Sequence, residues 1–176
     1  MNFKKIGIDV KIFPTTIIIN DKNIEIGNHV KIDDFVYFNG GKNTIIGDYV
    51  HITSFSYISG GGELIMEDFS GISAGVKLFT GSDDFSGRSL TNPTIPNKYR
   101  SPIRSFIKIE KHAVISTNCV LLPGVTIGQG AIVGANSLVL KDCEPWTIYA
   151  GSPAKAIKIR PKDKILELEF KLRNEI

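Results

Sequence analysis

The sequence predicts an all-β chain coiled as a three-sided parallel β-helix, with one excursion loop and a short C-terminal α-helix. Two repeats and one break predict it. Ile6, Ile26, Ile46 and Met66 stand 20 residues apart, as do Ile12, Ile32, Ile52 and Ile72, and likewise Ile18, Phe38, Ile58 and Leu78. Within each turn these columns are about six residues apart, so each short strand sends one branched or bulky side chain inward before the chain bends. After a gap the pattern resumes with an 18-residue period through Ile109, Ile115 and Leu121, then Ile127, Val133 and Val139. Strands of an antiparallel sandwich would have no reason to keep one period over four turns.

The coil is expected to occupy residues 1–160. Its bends fall at glycine-rich steps such as Ile46-Gly47-Asp48, Gly60-Gly61-Gly62 and Ile127-Gly128-Gln129-Gly130, where a corner demands positive φ or close backbone approach. Residues 81–106 escape the repeat: three prolines lie within ten residues and no apolar period runs through them. A structureless stretch of that length inside a compact domain reads as a functional loop leaving one corner. In the tail, residues 161–176, Ile165, Leu168, Leu172 and Ile176 fall at helical spacing behind Pro161, with Asp163 as the expected N-cap. This helix is expected to cap the coil end or to pack on a neighbouring subunit.

At 176 residues and 42% hydrophobic content, the chain fits a single domain with an ordinary core. The start has no apolar run suited to a signal peptide, and no stretch is long enough for a membrane span, so a cytoplasmic location is expected. Cys119 and Cys143 are too few for a disulfide framework and lack the spacing of a zinc site; both are expected to be reduced and buried. The formal charge of +3 resides in one place, because seven basic and four acidic residues follow Ala154. A local positive field there suits a phosphate-bearing ligand. The absence of a basic stripe with interleaved aromatics speaks against nucleic acid.

Three blocks carry a family resemblance: Pro123-Gly124-Val125-Thr126-Ile127-Gly128, the run from Gly134 to Asp142, and Ala150-Gly151-Ser152-Pro153-Ala154-Lys155 continuing to Lys158. They resemble the hexapeptide-repeat acyltransferases of the galactoside, maltose and xenobiotic acetyltransferase group, above all sugar acetyltransferases of polysaccharide biosynthesis. The resemblance covers about residues 44 to 160. It implies a left-handed β-helix, acetyl-CoA as co-substrate, and a homotrimer whose active sites lie between neighbouring coils under the excursion loop. It also implies that Thr117, Ala135, Lys141 and Lys158 contact CoA. The acceptor it implies is a hydroxyl of a sugar or sugar-containing precursor of a surface polysaccharide. Within the loop, Phe85, Arg88, Asn92, Tyr99 and Arg104 are the candidates for holding that acceptor.

One departure stands out. Acetyl transfer to a hydroxyl needs a base to take the proton and a donor to hold the oxyanion. In the resembled family a histidine in a Thr-His-Pro segment, just after the strand that opens the loop, is that base; here the equivalent position, after Val76-Lys77-Leu78-Phe79-Thr80, holds Asp83. Three readings remain open. Asp83 or Asp84 is the base, each carboxylate raising the other's pKa by repulsion, although Asp-Asp is also good turn chemistry. Alternatively His51 serves, projecting outward beside the inward Ile52, in register with Gly71 and Val114. The third reading is an amine acceptor on a nucleotide-linked amino sugar, which asks less of a base. His29 and His112 align with aromatic corner positions and read as structural. The same coil can carry a three-histidine zinc site, but His29 and His51 fall at different places within their turns, so no metal is expected. A non-catalytic β-helix scaffold is the reading from another class.

Overall fold

The computed structural model describes residues 1–175; Ile176, the last residue of the expected helical stripe, lies outside them. The chain winds as a left-handed parallel β-helix of three faces. Face 1 begins at Lys5–Ile6 and ends at Val125–Ile127, a six-stranded sheet. Face 2 runs from Lys11–Ile12 through Thr147–Ala150 and closes with an antiparallel eighth strand, Lys155–Ile159. Face 3 extends from Ile17–Ile19 to Leu138–Val139, again six strands.

The apolar columns are the ladders. Ile26 pairs with Ile46, Ile32 with Ile52, and Phe38 with Ile58. Pairing crosses the excursion without slipping: Met66 meets Ile109, Ile72 meets Ile115, and Leu78 meets Leu121. These side chains form one buried core. Burial of branched aliphatics at about 25 cal/mol per Å² is the dominant favourable term, and one residue of slip would turn every column outward. Only the first turn is open, where Ile6 is 52% exposed for want of a coil beneath it.

The corners differ from the glycine-rich pattern expected. At the corner between faces 1 and 2 the left-handed residue is Asp9 in the first turn, Gly130 in the turn where glycine was expected, and otherwise His29, Tyr49, Phe69, His112 or Trp146, with φ between 52° and 68°. Consecutive rings in this series lie 4.7, 4.9, 5.1 and 6.2 Å apart. A left-handed non-glycine residue costs about 1–2 kcal/mol, and each ring contact returns about 0.5–1.5 kcal/mol. The repeat thus lets side-chain stacking offset backbone cost. Glycine is reserved for places without room: a Cβ at Gly47 would lie 2.5 Å from Asp68 Oδ1, and Gly60 adopts φ 111° against the Gly81 amide. His29 and His112 belong to this stack, as their alignment with corner aromatics predicts.

The C-terminal helix, α1, spans Asp163–Glu175. Its first hydrogen bond joins Leu166 N–H to the Lys162 carbonyl, so Lys162, not Asp163, is the capping residue, and Asp163 supplies negative charge to the first turn. The helix does not lie across the coil end. It folds back along the aromatic corner, with Ile165, Leu168 and Leu172 over Phe69 and His112. Glu169 clamps it there, bonded to His112 Nε2 at 2.7 Å, Lys111 Nζ at 2.5 Å and Arg173 Nε at 2.7 Å. Arg173 also reaches Asp68 at 2.8 Å and lies over the Phe69 ring. No described helix is long and apolar enough to cross a membrane.

Cys119 and Cys143 are free and buried. Burial pushes the Cys143 thiol up to about 12, helped by the charge of Asp142, and raises that of Cys119. Neither thiol ionises near neutrality, so a disulfide-exchange reagent at pH 8 is expected to label no thiol in the folded protein and both after denaturation. For Glu169, burial raises the pKa, but the Lys111, Arg173 and His112 hydrogen bonds outweigh it and hold the carboxyl at about 2 against an ordinary 4.5. A depressed folded-state value means stability that is complete above pH 4.5 and lost as pH falls toward 2. Acid titration followed by Trp146 fluorescence is expected to show this loss in the wild type and a much smaller change over that range in Glu169→Gln.

Candidate active site

The excursion leaves the corner between faces 3 and 1, directly after Lys77–Phe79. Its base is a short antiparallel pair, Gly81–Ser82 with Ile103–Arg104. Proline-rich chain cannot form a longer ladder, so side chains and single backbone bonds hold the rest: Leu90 N–H to the Tyr99 carbonyl at 2.9 Å and Ser101 N–H to Ser89 Oγ at 3.3 Å.

Asp83 Oδ2 accepts the Asn92 amide at 2.9 Å, and the Asn92 carbonyl accepts Arg100 Nη1 at 2.8 Å. Asn92 is therefore a strut, in a left-handed turn of φ 80°, that ties Asp83 to Arg100. The other Asp83 oxygen has no hydrogen-bonding partner among the described residues. Asp84 is buried and accepts the Ser86 amide at 2.9 Å. Hydrogen bonds from Ser86, with the Arg88 charge nearby, hold the Asp84 carboxyl below its usual range. Mutual repulsion therefore does not raise Asp84 toward neutrality, contrary to the expectation for adjacent carboxylates: the turn it closes supplies donors, and these win.

His51 projects from face 2 in register with Lys31, Gly71 and Val114, as its position in the repeat predicts. Its Nε2 is 2.8 Å from Asp33 Oδ2, a partner the sequence reading missed because Asp33 sits one turn below. Burial opposes ionisation of Asp33, yet hydrogen bonds from Lys31 and His51 leave its carboxyl below the usual range. In the tautomer that donates from Nε2 to Asp33, Nδ1 is the unengaged ring nitrogen. A Cβ at Gly71 would meet the His51 carbonyl at 3.4 Å and would not touch the ring. Face 2 is the side of the prism opposite the edge that carries the loop, so one chain does not bring His51 to Asp83 and Asp84.

Thr117 and Ala135 are exposed and stacked on the corner between faces 2 and 3, linked through the Asn136 amide and the Thr117 carbonyl at 2.9 Å. Lys158 is exposed on the final strand of face 2, beside Ile148. Lys141 is exposed at the other edge of face 3, two turns beyond the loop. Among the loop candidates, Arg88 and Tyr99 border one cavity of about 440 Å³, together with Lys98 and Arg100, which the sequence reading missed. Arg104 faces a different cavity near Lys42 and Glu63. Phe85 is 80% exposed and borders neither. Among the described residues no group of three His, Cys, Asp or Glu side chains is placed to hold a metal.

Residues 106–141 match the family model described as bacterial transferase hexapeptide (six repeats). A dTDP-4-amino-4,6-dideoxy-D-glucose acyltransferase of Escherichia coli is 40% identical over 170 residues, 96% of this chain and 88% of its own. The N-acyltransferase AntD from Bacillus cereus, solved in complex with dTDP and 3-hydroxybutyryl-CoA, is 38% identical with a TM-score of 0.92, covering 99% of this chain and 92% of that one. A serine-substituted variant of AntD, in complex with dTDP-4-amino-4,6-dideoxyglucose and coenzyme A, gives 37% identity and a TM-score of 0.93, over 100% of this chain and 93% of that one. With likeness sustained from the first turn through the loop to the terminal helix, the chain belongs to the hexapeptide-repeat acyltransferase family and is an acyltransferase.

Proposed function

We propose that the chain is an N-acyltransferase that moves an acyl group from coenzyme A to the amine of a nucleotide-linked amino sugar. The observation that carries this reading is the likeness, over nearly the full length, to an acyltransferase named for a dTDP-amino sugar. It favours the amine over the sugar hydroxyl that the galactoside-type resemblance implies. The loop chemistry points the same way. Asp83 stands where that group keeps its histidine, and an unprotonated amine needs less from a base than a hydroxyl does.

In this reading the sugar nitrogen attacks the thioester carbonyl and the C–N bond forms, the C–S bond breaks with its electron pair leaving on the CoA sulfur, and the nitrogen proton passes by way of the unengaged oxygen of Asp83 to that thiolate. Asp84 shapes the turn that presents Asp83. Coenzyme A lies along the edge of Thr117 and Ala135, with Lys158 and Lys141 available to its phosphates. Phe85, exposed on the loop, and Arg104, at its base, are further candidates for holding the acceptor. A homotrimer would bring the loop of one chain to face 2 of the next, adding His51 and Asp33 to the site. Stacked rings at the surface, Phe35 on Phe55, both exposed, and the half-buried Tyr37 on Tyr57, support such an interface. Buried free thiols are in keeping with a cytoplasmic enzyme.

Release of free CoA thiol is the readout. A dTDP-linked 4-amino sugar is expected to exceed a hydroxyl-only sugar in kcat/KM by about a hundredfold or more; parity or the reverse order overturns the reading. Asp83→Asn keeps the Asn92 hydrogen bond and is expected to lower kcat by about 10²–10⁴ with little change in KM for acyl-CoA. Should Asp83→Asn turn over normally while His51→Ala loses that factor, the base is His51 Nδ1. Sedimentation is expected to report a trimer, and a monomer at micromolar concentration would rule out a site shared between chains.

A further inference from the structure

We propose that the open pocket on the excursion, bordered by Arg88, Lys98, Tyr99 and Arg100, seats the diphosphate of the nucleotide-linked acceptor. The proposal rests on the acceptor class argued above and assigns that substrate's charged centre to one place.

Three cations line a space of about 440 Å³ and no carboxylate does; small-ligand sites occupy about 300–1,000 Å³. The nearest acids are turned to other work. Asp83 is bonded to the Asn92 amide and Asp84 to the Ser86 amide, and the Arg88–Asp84 separation is a loose 3.9 Å. Lys98 forms no ion pair among the described residues, and its ammonium lies 4.7 Å from the centre of the Tyr99 ring. Arg100 is the most telling. Its Nη1 is spent on the Asn92 carbonyl, yet its Nε is buried without any hydrogen-bond acceptor. Buried donors are almost always paired, so an unpaired guanidinium nitrogen beside an acid-free cavity signals a missing acceptor.

The surrounding loop is built to hold these charges together. Bonds from Leu90 to Tyr99 and from Ser101 to Ser89 zip its two arms, and Arg88 Nε is held by Ser86 Oγ at 2.8 Å. Like charges confined this way repel one another until an anion enters. A diphosphate diester brings two negative charges and several acceptor oxygens, which match fixed guanidinium forks well. Coenzyme A carries the same chemistry in its own diphosphate. Its candidate contacts, Thr117, Ala135, Lys141 and Lys158, lie outside this cavity, which favours the sugar nucleotide.

Arg88→Gln and Lys98→Met test the assignment, because both side chains are exposed and a thermal melt checks that the fold survives. Each is expected to raise KM for the dTDP-amino sugar, and Ki for dTDP as its competitor, roughly tenfold. KM for acyl-CoA should stay unchanged. Unchanged nucleotide-sugar constants in both variants overturn the proposal while normal wild-type turnover leaves the acceptor class standing. A rise in KM for acyl-CoA alone also overturns it, by giving the cavity to coenzyme A. Wild-type protein that neither acylates the dTDP-amino sugar nor binds dTDP in calorimetry removes both readings together.

Discussion

The vertical register of the coil is the constraint on which everything else depends. Each inward side chain sits on its counterpart one turn below, and the backbone hydrogen bonds run along the same direction. Packing and hydrogen bonding therefore demand the same alignment, and neither can be met in a slipped register. A long insertion is tolerated because its ends need only meet at a corner: Met66 stacks on Ile109 as though residues 81–106 were absent. The loop is free to carry chemistry because the ladder on either side does not need it.

Rigid corners are the second consequence. A corner repeated turn after turn places equivalent side chains within stacking distance, which makes a costly left-handed conformation worth keeping for histidine, tyrosine, phenylalanine and tryptophan. The aromatic edge so formed is the platform on which α1 lies. Glu169 joins helix to platform through His112 and Lys111, while Arg173 of the same helix completes its pairing, a buried charge made acceptable by full pairing. The same regularity places Asp33 beneath His51, so the imidazole acquires an orienting carboxylate from the neighbouring turn.

The candidate residues are distributed over the edges and faces of the prism rather than gathered in one cleft. The loop and its cations leave one edge, the Thr117–Ala135 corner forms another, and His51 looks out from the face opposite the loop. A single coil cannot fold these onto one another. Association of copies around an axis is the simple geometric way for such a rod to build a closed pocket, which is why the oligomer belongs to the proposed mechanism.

The sequence by itself determined the fold, the strand register, the exit point of the loop and the outward direction of His51. Each depends on a short period that repeats, and a period is visible in one dimension. It also placed Asp83 where a histidine was expected, since that comparison needs only an aligned strand. Tertiary structure alone decided the rest. Lys98 and Arg100 joined Arg88 around one cavity, Arg104 faced away, Asp84 proved to be a turn-closing carboxylate, and α1 lay along the flank instead of across the end. These outcomes come from an aperiodic loop and a terminal segment whose contacts join residues far apart in the chain, as Glu169 joins His112. No local pattern encodes such meetings, because they are set by where the rigid coil leaves room.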